Sequence, residues 1–152
     1  MPILNITAFD NAIHRIQVME VWRASFGYDT AHNEPGLVID KKLVMHDGLF
    51  FVAVVAGEVV GTVMAGYDGH RGWLYSVAVS PGHRKLGAGR QLVAHAEQAL
   101  TTLGCLKINL QLLQSNAAVA AFYASMGYVV EPRVSMGKLI RENPLVPGSV
   151  PI

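Results

Sequence analysis

The order of hydrophobic and polar positions predicts two helices at the start of the chain. Apolar residues recur near one helical face from 13 to 26, which predicts a helix over 11–26 with Asp10 as its cap and Gly27 at its end. That face carries Ile13, Ile16, Met19 and Phe26. A polar stretch broken by Pro35 precedes a shorter helix over 37–45. A polar stretch of this kind often covers a binding site.

Three runs rich in valine and aromatic residues predict consecutive strands over 49–55, 58–67 and 73–79. Short glycine-containing turns separate them, as in an antiparallel meander. The first two runs together are long enough to span a membrane, but Glu58 interrupts them beside Gly57. The pattern therefore favours two buried strands joined by a turn.

After Pro81 the spacing of the apolar residues changes to a helical period. One apolar face predicts a helix over 89–103, and it carries Leu92, Val93, Ala96, Leu100 and Leu103. Alternating residues over 107–112 predict a strand, after which a helix begins at Ser115 or Asn116 and ends at Gly127.

The last part of the chain divides at about residue 140. Two short strands, near 128–130 and over 134–139, would complete the sheet. Residues 141–152 contain three prolines and show no periodicity, so they are expected to form an extended tail. The sequence thus predicts one domain over 1–140, followed by a Pro-rich tail over 141–152.

Length and charge narrow the class of protein. A chain of 152 residues is long enough for one domain and too short for two comfortable ones. The net charge of +1, from 12 basic and 11 acidic residues, argues against nucleic-acid and membrane partners, which usually require a basic surface. Cys105 is the only cysteine, so an intrachain disulfide is excluded. No signal-peptide pattern is present at the start, and we expect a cytoplasmic location.

The most informative stretch is the turn over 79–90, where a β-branched strand meets an amphipathic helix. Backbone N–H groups at a helix start attract anions, and Gly87 and Gly89 have no Cβ to keep a pyrophosphate away from the main chain. Arg84 and Lys85 add positive charge. From these residues alone, an ordinary solvated glycine-rich loop stays open as an alternative. The residue pattern of this turn does not fit a Walker loop or a dinucleotide-binding fingerprint.

Two spaced motifs resemble the GNAT superfamily of N-acetyltransferases. The first is Arg84-x-x-Gly87-x-Gly89 preceded by Val77-Ala78-Val79, and the second is the block 116–128 with its Asn, Phe-Tyr and Gly-Tyr pattern. More narrowly, residues 57–64, 66–72 and 139–140 look like the bacterial YpeA-type acetyltransferases. The resemblance covers about residues 20–140. It implies an α/β (α+β) fold with a mixed, mostly antiparallel sheet of six to seven strands flanked by about four helices.

The resemblance also implies a function, which is transfer of an acetyl group from acetyl-CoA to a primary amine by direct attack in a ternary complex. No metal is implied, the identity of the amine is not given, and a homodimer stays open. In such proteins the turn holds the pyrophosphate, while the preceding strand and an Asn bind the pantetheine arm. The matching residues here are Val77, Ala78, Val79, Arg84, Lys85, Leu86, Gly87, Ala88, Gly89, Arg90 and Asn116.

The resemblance assigns Tyr123 as the general acid that protonates the departing thiolate. A phenol has a reference pKa of about 10, so it is protonated at neutral pH and can donate. On a helix, Asn116 and Tyr123 lie on nearly the same face, roughly 10 Å apart along the axis. Without the resemblance, a helix cap and a half-buried core aromatic would be the better explanation of these two residues.

Relatives can have a Glu that acts as the general base at two positions, but in this chain Gln111 and Trp73 occupy those positions. The remaining candidates for proton removal, directly or through water, are Tyr67, Asp68, His70 and Tyr75. Asp68 and His70 also suit a simple turn. The first two helices and their link line the acceptor side in this family, and here they carry Trp22, Phe26, Tyr28, His32 and Glu34. Glu34 could attract a cationic amine, although core aromatics and a solvated carboxylate stay open as the explanation of these residues. Because neither position carries a Glu, a module that senses acyl-CoA without turnover stays open as an alternative function.

Overall fold

The structure, a computed structural model, describes residues 3–27 and 33–140. The predicted tail at 141–152, with Tyr28 and His32, lies outside these described residues. The strands are β1 (Leu4–Ala8), β2 (Phe50–Val55), β3 (Glu58–Tyr67), β4 (Gly72–Val79) and β5 (Ile108–Leu110). The α-helices of the described part are α1 (Asn11–Phe26), α2 (Pro35–Val44), α3 (Ala88–Thr102) and α4 (Ala117–Ser125). None of these helices combines the length and apolar character that crossing a bilayer requires.

The strands form one mixed sheet in the order β1-β2-β3-β4-β5. Neighbours are antiparallel from β1 to β4, which confirms the predicted meander, and β5 pairs with β4 in parallel. The α+β fold is therefore confirmed, but with five strands in the described residues rather than six or seven. The pattern analysis did not predict β1.

The two strands predicted after α4 are not formed, because residues 128–140 contain no helix or strand. Pro132 lacks an N–H for a strand ladder and follows Glu131, so the apolar alternation is interrupted there. Within the described residues, no neighbouring strand pairs with the backbone of this segment.

Two apolar layers hold the helices against opposite faces of the sheet. Alternating residues of β2 show the division, since Phe51 and Ala53 pack with α3 whereas Phe50 and Val52 pack with α1. The predicted burial of the α3 face is confirmed for four of its five residues, and Leu103 at the helix end is exposed. The sheet is thus covered by α1 and α2 on one face and by α3 on the other.

The predicted buried face of α1 is wrong, because Ile13, Ile16 and Phe26 are exposed. The residues that α1 buries are His14, Val18, Val21 and Trp22. Both sets satisfy a helical period, so periodicity did not decide between them. Asp10 caps the helix as predicted, accepting hydrogen bonds from the N–H groups of Ala12 and Ile13.

Candidate functional site

The site begins where β4 and β5 separate. β5 pairs with residues 72–74 of β4 and then ends, so from Tyr75 onward the outer edge of β4 has no strand partner in residues 3–27 and 33–140. Val77 and Val79 lie on this free part of β4 and pack at the edge of the same apolar cluster that holds Tyr123. The structure therefore brings together two groups of predicted residues, one from the strand before the turn and one from α4.

A β-bulge shapes β4 at this point, and the sequence analysis missed it. Ser76 has a positive φ of 50°, and the register between β3 and β4 shifts beside it. The buried Thr62 hydroxyl donates to the Ser76 carbonyl at 2.8 Å and accepts from the Trp22 indole N–H at 2.9 Å. A non-glycine residue in this conformation costs energy, and the surrounding hydrogen bonds hold it in place. The only sequence signal was a threonine within an apolar strand.

The turn after β4 leads directly into α3. Gly87, at φ 80°, is the N-terminal cap residue of α3, and no side chain of the described residues caps the N–H groups of this helix start. By contrast, α1, α2 and α4 each carry a side-chain cap, which is Asp10, Glu34 or Asn116. The uncapped N–H groups at α3 are therefore available to an anion.

Cationic side chains surround this turn, and Gly89 has a second role there. Arg84 donates to the Val79 carbonyl at 3.2 Å, and Arg90 donates to the Ser125 hydroxyl at 2.8 Å, which ties α3 to α4. A Cβ at Gly89 would lie 3.4 Å from the Phe122 ring. That distance is an ordinary van der Waals contact, so the α3–α4 contact has room for a methyl group at Gly89 but little room for a larger side chain. The other predicted residues of the turn are exposed, namely Lys85 and Leu86, whereas Ala88 is buried.

The α4 helix presents the predicted acid. Tyr123 is 6% exposed, and its ring packs edge-on against Phe122 and Tyr128. Burial raises the pKa of Tyr123 to about 12. Among the described residues, Ser25 Oγ and Asn109 Oδ1 are the only buried side-chain N or O atoms without a hydrogen-bond partner. The Tyr123 hydroxyl has no hydrogen-bond partner among the described residues either and is not one of these two buried atoms.

Asn116 stands at the start of the same helix. Its side-chain oxygen accepts from the Val119 N–H at 3.3 Å, which is the N-cap role. The side-chain amide N–H₂ makes no hydrogen bond within the described part of the chain, and the residue is exposed. The cap therefore leaves a donor free for a ligand carbonyl.

The positions that lack a Glu carry hydrogen-bonded side chains. Gln111 donates to the Ser135 hydroxyl at 2.5 Å, and the Trp73 indole donates to Asp68 at 3.3 Å. Asp68 also accepts from the N–H groups of His70 and Arg71, and these bonds lower its pKa. Asp68 and His70 are thus exposed residues of the β3–β4 turn, as their sequence context indicates. The hydroxyl of Tyr67 donates within the same turn, to the Gly69 carbonyl.

A buried lysine beside Tyr75 was not predicted. Lys42 of α2 donates to Asp47 at 2.8 Å, to the Tyr75 hydroxyl at 2.8 Å, and to the Ala65 carbonyl. Its ammonium group also lies 5.2 Å from the centre of the Tyr75 ring. Buried charges require such partners. Tyr75 is therefore held between an ammonium donor and a backbone acceptor at the point where β4 and β5 separate.

The ends of α1 and α2, which the family resemblance assigns to the acceptor side, lie close together. A small cavity lies there, lined by Trp22, Phe26, Gly27, Asn33, Pro35, Val38 and Ser76. Glu34, proposed from the sequence to attract a cation, uses both carboxylate oxygens to cap α2. In the described parts of the chain, no cluster of three or more His, Cys, Asp or Glu side chains is arranged to hold a metal ion.

Comparisons with known proteins agree with this geometry. A family model described as the acetyltransferase (GNAT) family matches residues 15–128. An acetyltransferase of Sodalis glossinidius is 42% identical over 112 residues, which are 73% of this chain and 79% of the relative.

Two solved structures are similar in fold. The PaiA N-acetyltransferase of Thermoplasma acidophilum, in complex with coenzyme A, has a TM-score of 0.76 and 17% identity, and the match covers 87% of this chain and 93% of that one. The aminoglycoside N-acetyltransferase AAC(6')-Iy, in complex with CoA, has a TM-score of 0.75 and 18% identity, with coverage of 93% and 97%. At such identities these matches concern the fold alone.

Proposed function

The chain belongs to the GNAT family of acetyltransferases and transfers an acetyl group from acetyl-CoA to an amine, and we propose that the turn at 84–90 and Tyr123 carry this reaction. The main support for this proposal is the N-terminus of α3. Among the α-helices of the described residues, α3 is the only one whose N-terminus has no side-chain cap. Its free N–H groups and the helix dipole favour a pyrophosphate. Arg84 and Lys85 add charge beside it.

The pantetheine arm of acetyl-CoA fits the gap between β4 and β5. The free edge of β4 over 76–79 offers backbone donors and acceptors to an extended amide chain. The free side-chain amide of Asn116 faces the solvent at the start of α4 and can donate to a pantetheine carbonyl. In this arrangement the thioester lies near the Ser76 bulge and the Tyr123 hydroxyl.

The reaction is a direct acyl transfer. The neutral amine attacks the thioester carbonyl carbon, a C–N bond forms, and the C–S bond breaks as its electron pair moves to sulfur. The departing thiolate takes a proton, and Tyr123 is the donor in reach of it. With a pKa of about 12, Tyr123 remains protonated at any working pH. The proton lost by the amine replaces the one that Tyr123 supplies.

Proton removal from the amine runs through water rather than through a carboxylate. The amide of Gln111 and the indole of Trp73 cannot act as bases. Tyr75 is the better-placed relay, because its hydroxyl accepts from Lys42 at 2.8 Å and lies at the end of the β4–β5 pairing. His70 lies in the β3–β4 turn and is the second relay group.

The proposal extends to the chain as a whole. Residues 1–140 form the acetyltransferase domain and 141–152 a separate tail, which the family match over 15–128 supports. The single Cys105 supports a cytoplasmic location. Apolar side chains exposed after α4 support a homodimer. The acceptor is a small-molecule amine or a protein amine.

A pair of glycine variants tests the turn. Gly87→Ala places a Cβ on a residue at φ 80°, a conformation that disfavours L side chains, so the turn must rearrange. Gly82→Ala adds the same atom in the same loop, into open space and at an ordinary φ. We expect titration calorimetry to show acetyl-CoA affinity at least about 10-fold weaker for Gly87→Ala and unchanged for Gly82→Ala. Equal affinities in two folded variants would remove the turn from the site.

Turnover is tested separately. The purified chain is incubated with acetyl-CoA and panels of amines, amino acids and peptides, and the release of CoA thiol is followed. We expect acetylation of at least one primary amine. Tight binding of acetyl-CoA with no release of thiol across all panels would favour a sensing module over an enzyme.

A further inference from the structure

Lys42 is a buried cation to which the proposed reaction gives no role of its own. Its side chain is 6% exposed, and its ammonium group has three N–H donors, all of which bind within the protein. They donate to Asp47 at 2.8 Å, to the Tyr75 hydroxyl at 2.8 Å, and to the Ala65 carbonyl. Because no N–H is left over, any effect of Lys42 on a ligand must pass through one of these partners.

The Tyr75 hydroxyl is the partner that can reach a ligand, since Tyr75 is 41% exposed. Its oxygen accepts from Lys42, so the phenol hydrogen must turn away from the ammonium group. Within the described residues, that hydrogen has only the Ala65 carbonyl, at 3.4 Å, which is long for an O–H donor. The same carbonyl already accepts from Lys42. Tyr75 therefore presents a donor that the protein leaves largely unused.

This donor lies next to the small cavity at the ends of α1 and α2. Ser76, the residue after Tyr75, lines that cavity, and so does Val38 of α2. Lys42 follows Val38 by four residues, so the two side chains lie on one face of α2, about 6 Å apart along the helix axis. Along this face, the cavity at Val38 and Ser76 is followed by the polar pair of Lys42 and Tyr75.

The ammonium group makes the phenol a stronger donor. A hydrogen bond that arrives at the phenol oxygen polarises the O–H bond, because successive hydrogen bonds in a chain reinforce one another. A carbonyl or carboxylate oxygen is the partner that suits the outer end of such a chain. The phenol oxygen has two lone pairs, and the one that Lys42 does not use remains for the water of the proton relay. Tyr75 can therefore contact both the relay water and the amine substrate.

We propose that Tyr75 is a specificity residue that donates a hydrogen bond to an oxygen of the amine substrate, and that Lys42 is the positioning residue that orients it. The substrate is then an amine with a carboxylate or amide carbonyl a few bonds from its nitrogen, as in an amino acid or the N-terminus of a peptide. Simple alkylamines lack this oxygen and should be poorer substrates. This inference rests on the acetyl transfer of the proposed function and narrows its acceptor.

Matched sets of amines test the inference. Each set contains an apolar amino acid, its amide and its decarboxylated amine, such as leucine, leucinamide and 3-methylbutylamine, and release of CoA thiol gives kcat/KM. We expect Tyr75→Phe to lower kcat/KM at least about 5-fold more for the amino acid or the amide than for the decarboxylated amine, because only the first two lose a hydrogen bond. Each amine is compared between wild type and variant, so differences in the amines' own reactivity cancel.

Lys42→Met tests the positioning role, because it keeps an apolar stem and removes the ammonium group. It should show the same selective loss as Tyr75→Phe, and combining the two variants should add little further selectivity, since Lys42 acts through Tyr75. Fully additive losses would overturn the positioning role. Lys41→Met is the control, because it removes a charge from an exposed residue of the same helix, and it should leave kcat/KM unchanged for every amine. Circular dichroism should show the variants folded, and Tyr75→Phe alone decides the inference if Lys42→Met does not fold.

The pattern across the three amines decides the outcome. A selective loss with the amino acid alone would assign a carboxylate to Tyr75, and one with the amide alone would assign a peptide N-terminus. Losses of equal size for all three amines would overturn the inference and leave the acetyl transfer in place, because Tyr75 would then act only in the proton relay. The inference also fails if thiol is released with other amines but with no amino acid or amide. Absence of thiol release with every amine would overturn both this inference and the proposed enzyme.

Discussion

Removal of one hydroxyl group separates the chemical role of Tyr123 from its packing. Tyr123→Phe keeps a ring that packs against Phe122 and Tyr128. The hydroxyl has no hydrogen-bond partner in the described residues, so its loss leaves no unsatisfied group behind. We therefore expect the free energy of unfolding to change by less than about 1 kcal/mol. The turnover number should fall much further.

The size of the loss follows from the pKa of the group. Burial raises the pKa of Tyr123 to about 12, whereas a thiol has a reference pKa of about 8.5. Complete transfer of the proton to a free thiolate is uphill by about 3.5 pKa units, or about 5 kcal/mol. Tyr123 therefore acts while the C–S bond is breaking, with its proton replaced from the amine. We expect kcat to fall by about 10²-fold, the lower end for lost acid catalysis, which equals about 2.7 kcal/mol in the barrier.

Tyr128→Phe is the matched control, because the neighbouring phenol is tied to the protein. Its hydroxyl donates to Glu97 at 2.8 Å, and burial together with this carboxylate raises the pKa of Tyr128. We expect this variant to lose about 1–2 kcal/mol of stability and to keep its turnover. The assay compares kcat from thiol release, with rapid quench to show that chemistry limits the rate, and the free energy of unfolding in denaturant.

The reasoning fails if Tyr123→Phe retains wild-type kcat while chemistry limits the rate. It also fails if both variants lose turnover equally, since a general disturbance of the aromatic cluster would then explain the result. A large loss of stability in Tyr123→Phe alone would show that the hydroxyl is bound within the protein.

Three further predictions use the same preparations. Gly89→Ala should be tolerated, because its Cβ would lie at an ordinary contact distance of 3.4 Å from Phe122. Gly89→Val should lower the melting temperature by several degrees, because the larger side chain crowds the α3–α4 contact, and equal melting temperatures would contradict this packing role. If acetyl transfer uses a water relay, the logarithm of kcat/KM should rise with pH towards the pKa of the acceptor amine. His70→Gln and Tyr75→Phe should each lower kcat/KM only modestly. Loss of a basic limb of the pH profile in one variant, with about 10³-fold lower activity, would identify a dedicated base. Since the folded pKa of Tyr123 is raised from 10.0 to about 12, its contribution to stability is complete below pH 10 and is lost as the pH rises towards 12, so Tyr123→Phe should weaken the alkaline loss of stability measured in denaturant.

Local sequence signals predicted most of the elements and the position of the turn. The cap at Asp10, the glycine at the start of α3 and the valine and aromatic residues of β2 each act within a few residues, and the structure has all three elements. The buried face of α1 depended on which of two apolar stripes the sheet would accept. That choice is made by contacts distant in the sequence, such as Trp22 with Thr62.

The parts of the site that the sequence did not predict are also long-range. Lys42 and Tyr75 are 33 residues apart, and no local pattern indicates that a buried ammonium will contact a phenol. The Ser76 bulge is fixed by a hydroxyl on the neighbouring strand. The family resemblance suggested which residues face acetyl-CoA, but the departures at Gln111 and Trp73 required side-chain contacts to interpret. There the structure shows hydrogen bonds to Ser135 and Asp68.

The short length of β5 leaves room for the proposed position of the pantetheine arm. With only three paired residues, β5 leaves the edge of β4 over 75–79 without a strand partner among the described residues. A longer pairing would fill that opening with a strand. The Ser76 bulge lies beside the opening, and the Thr62 hydroxyl holds the bulge in place.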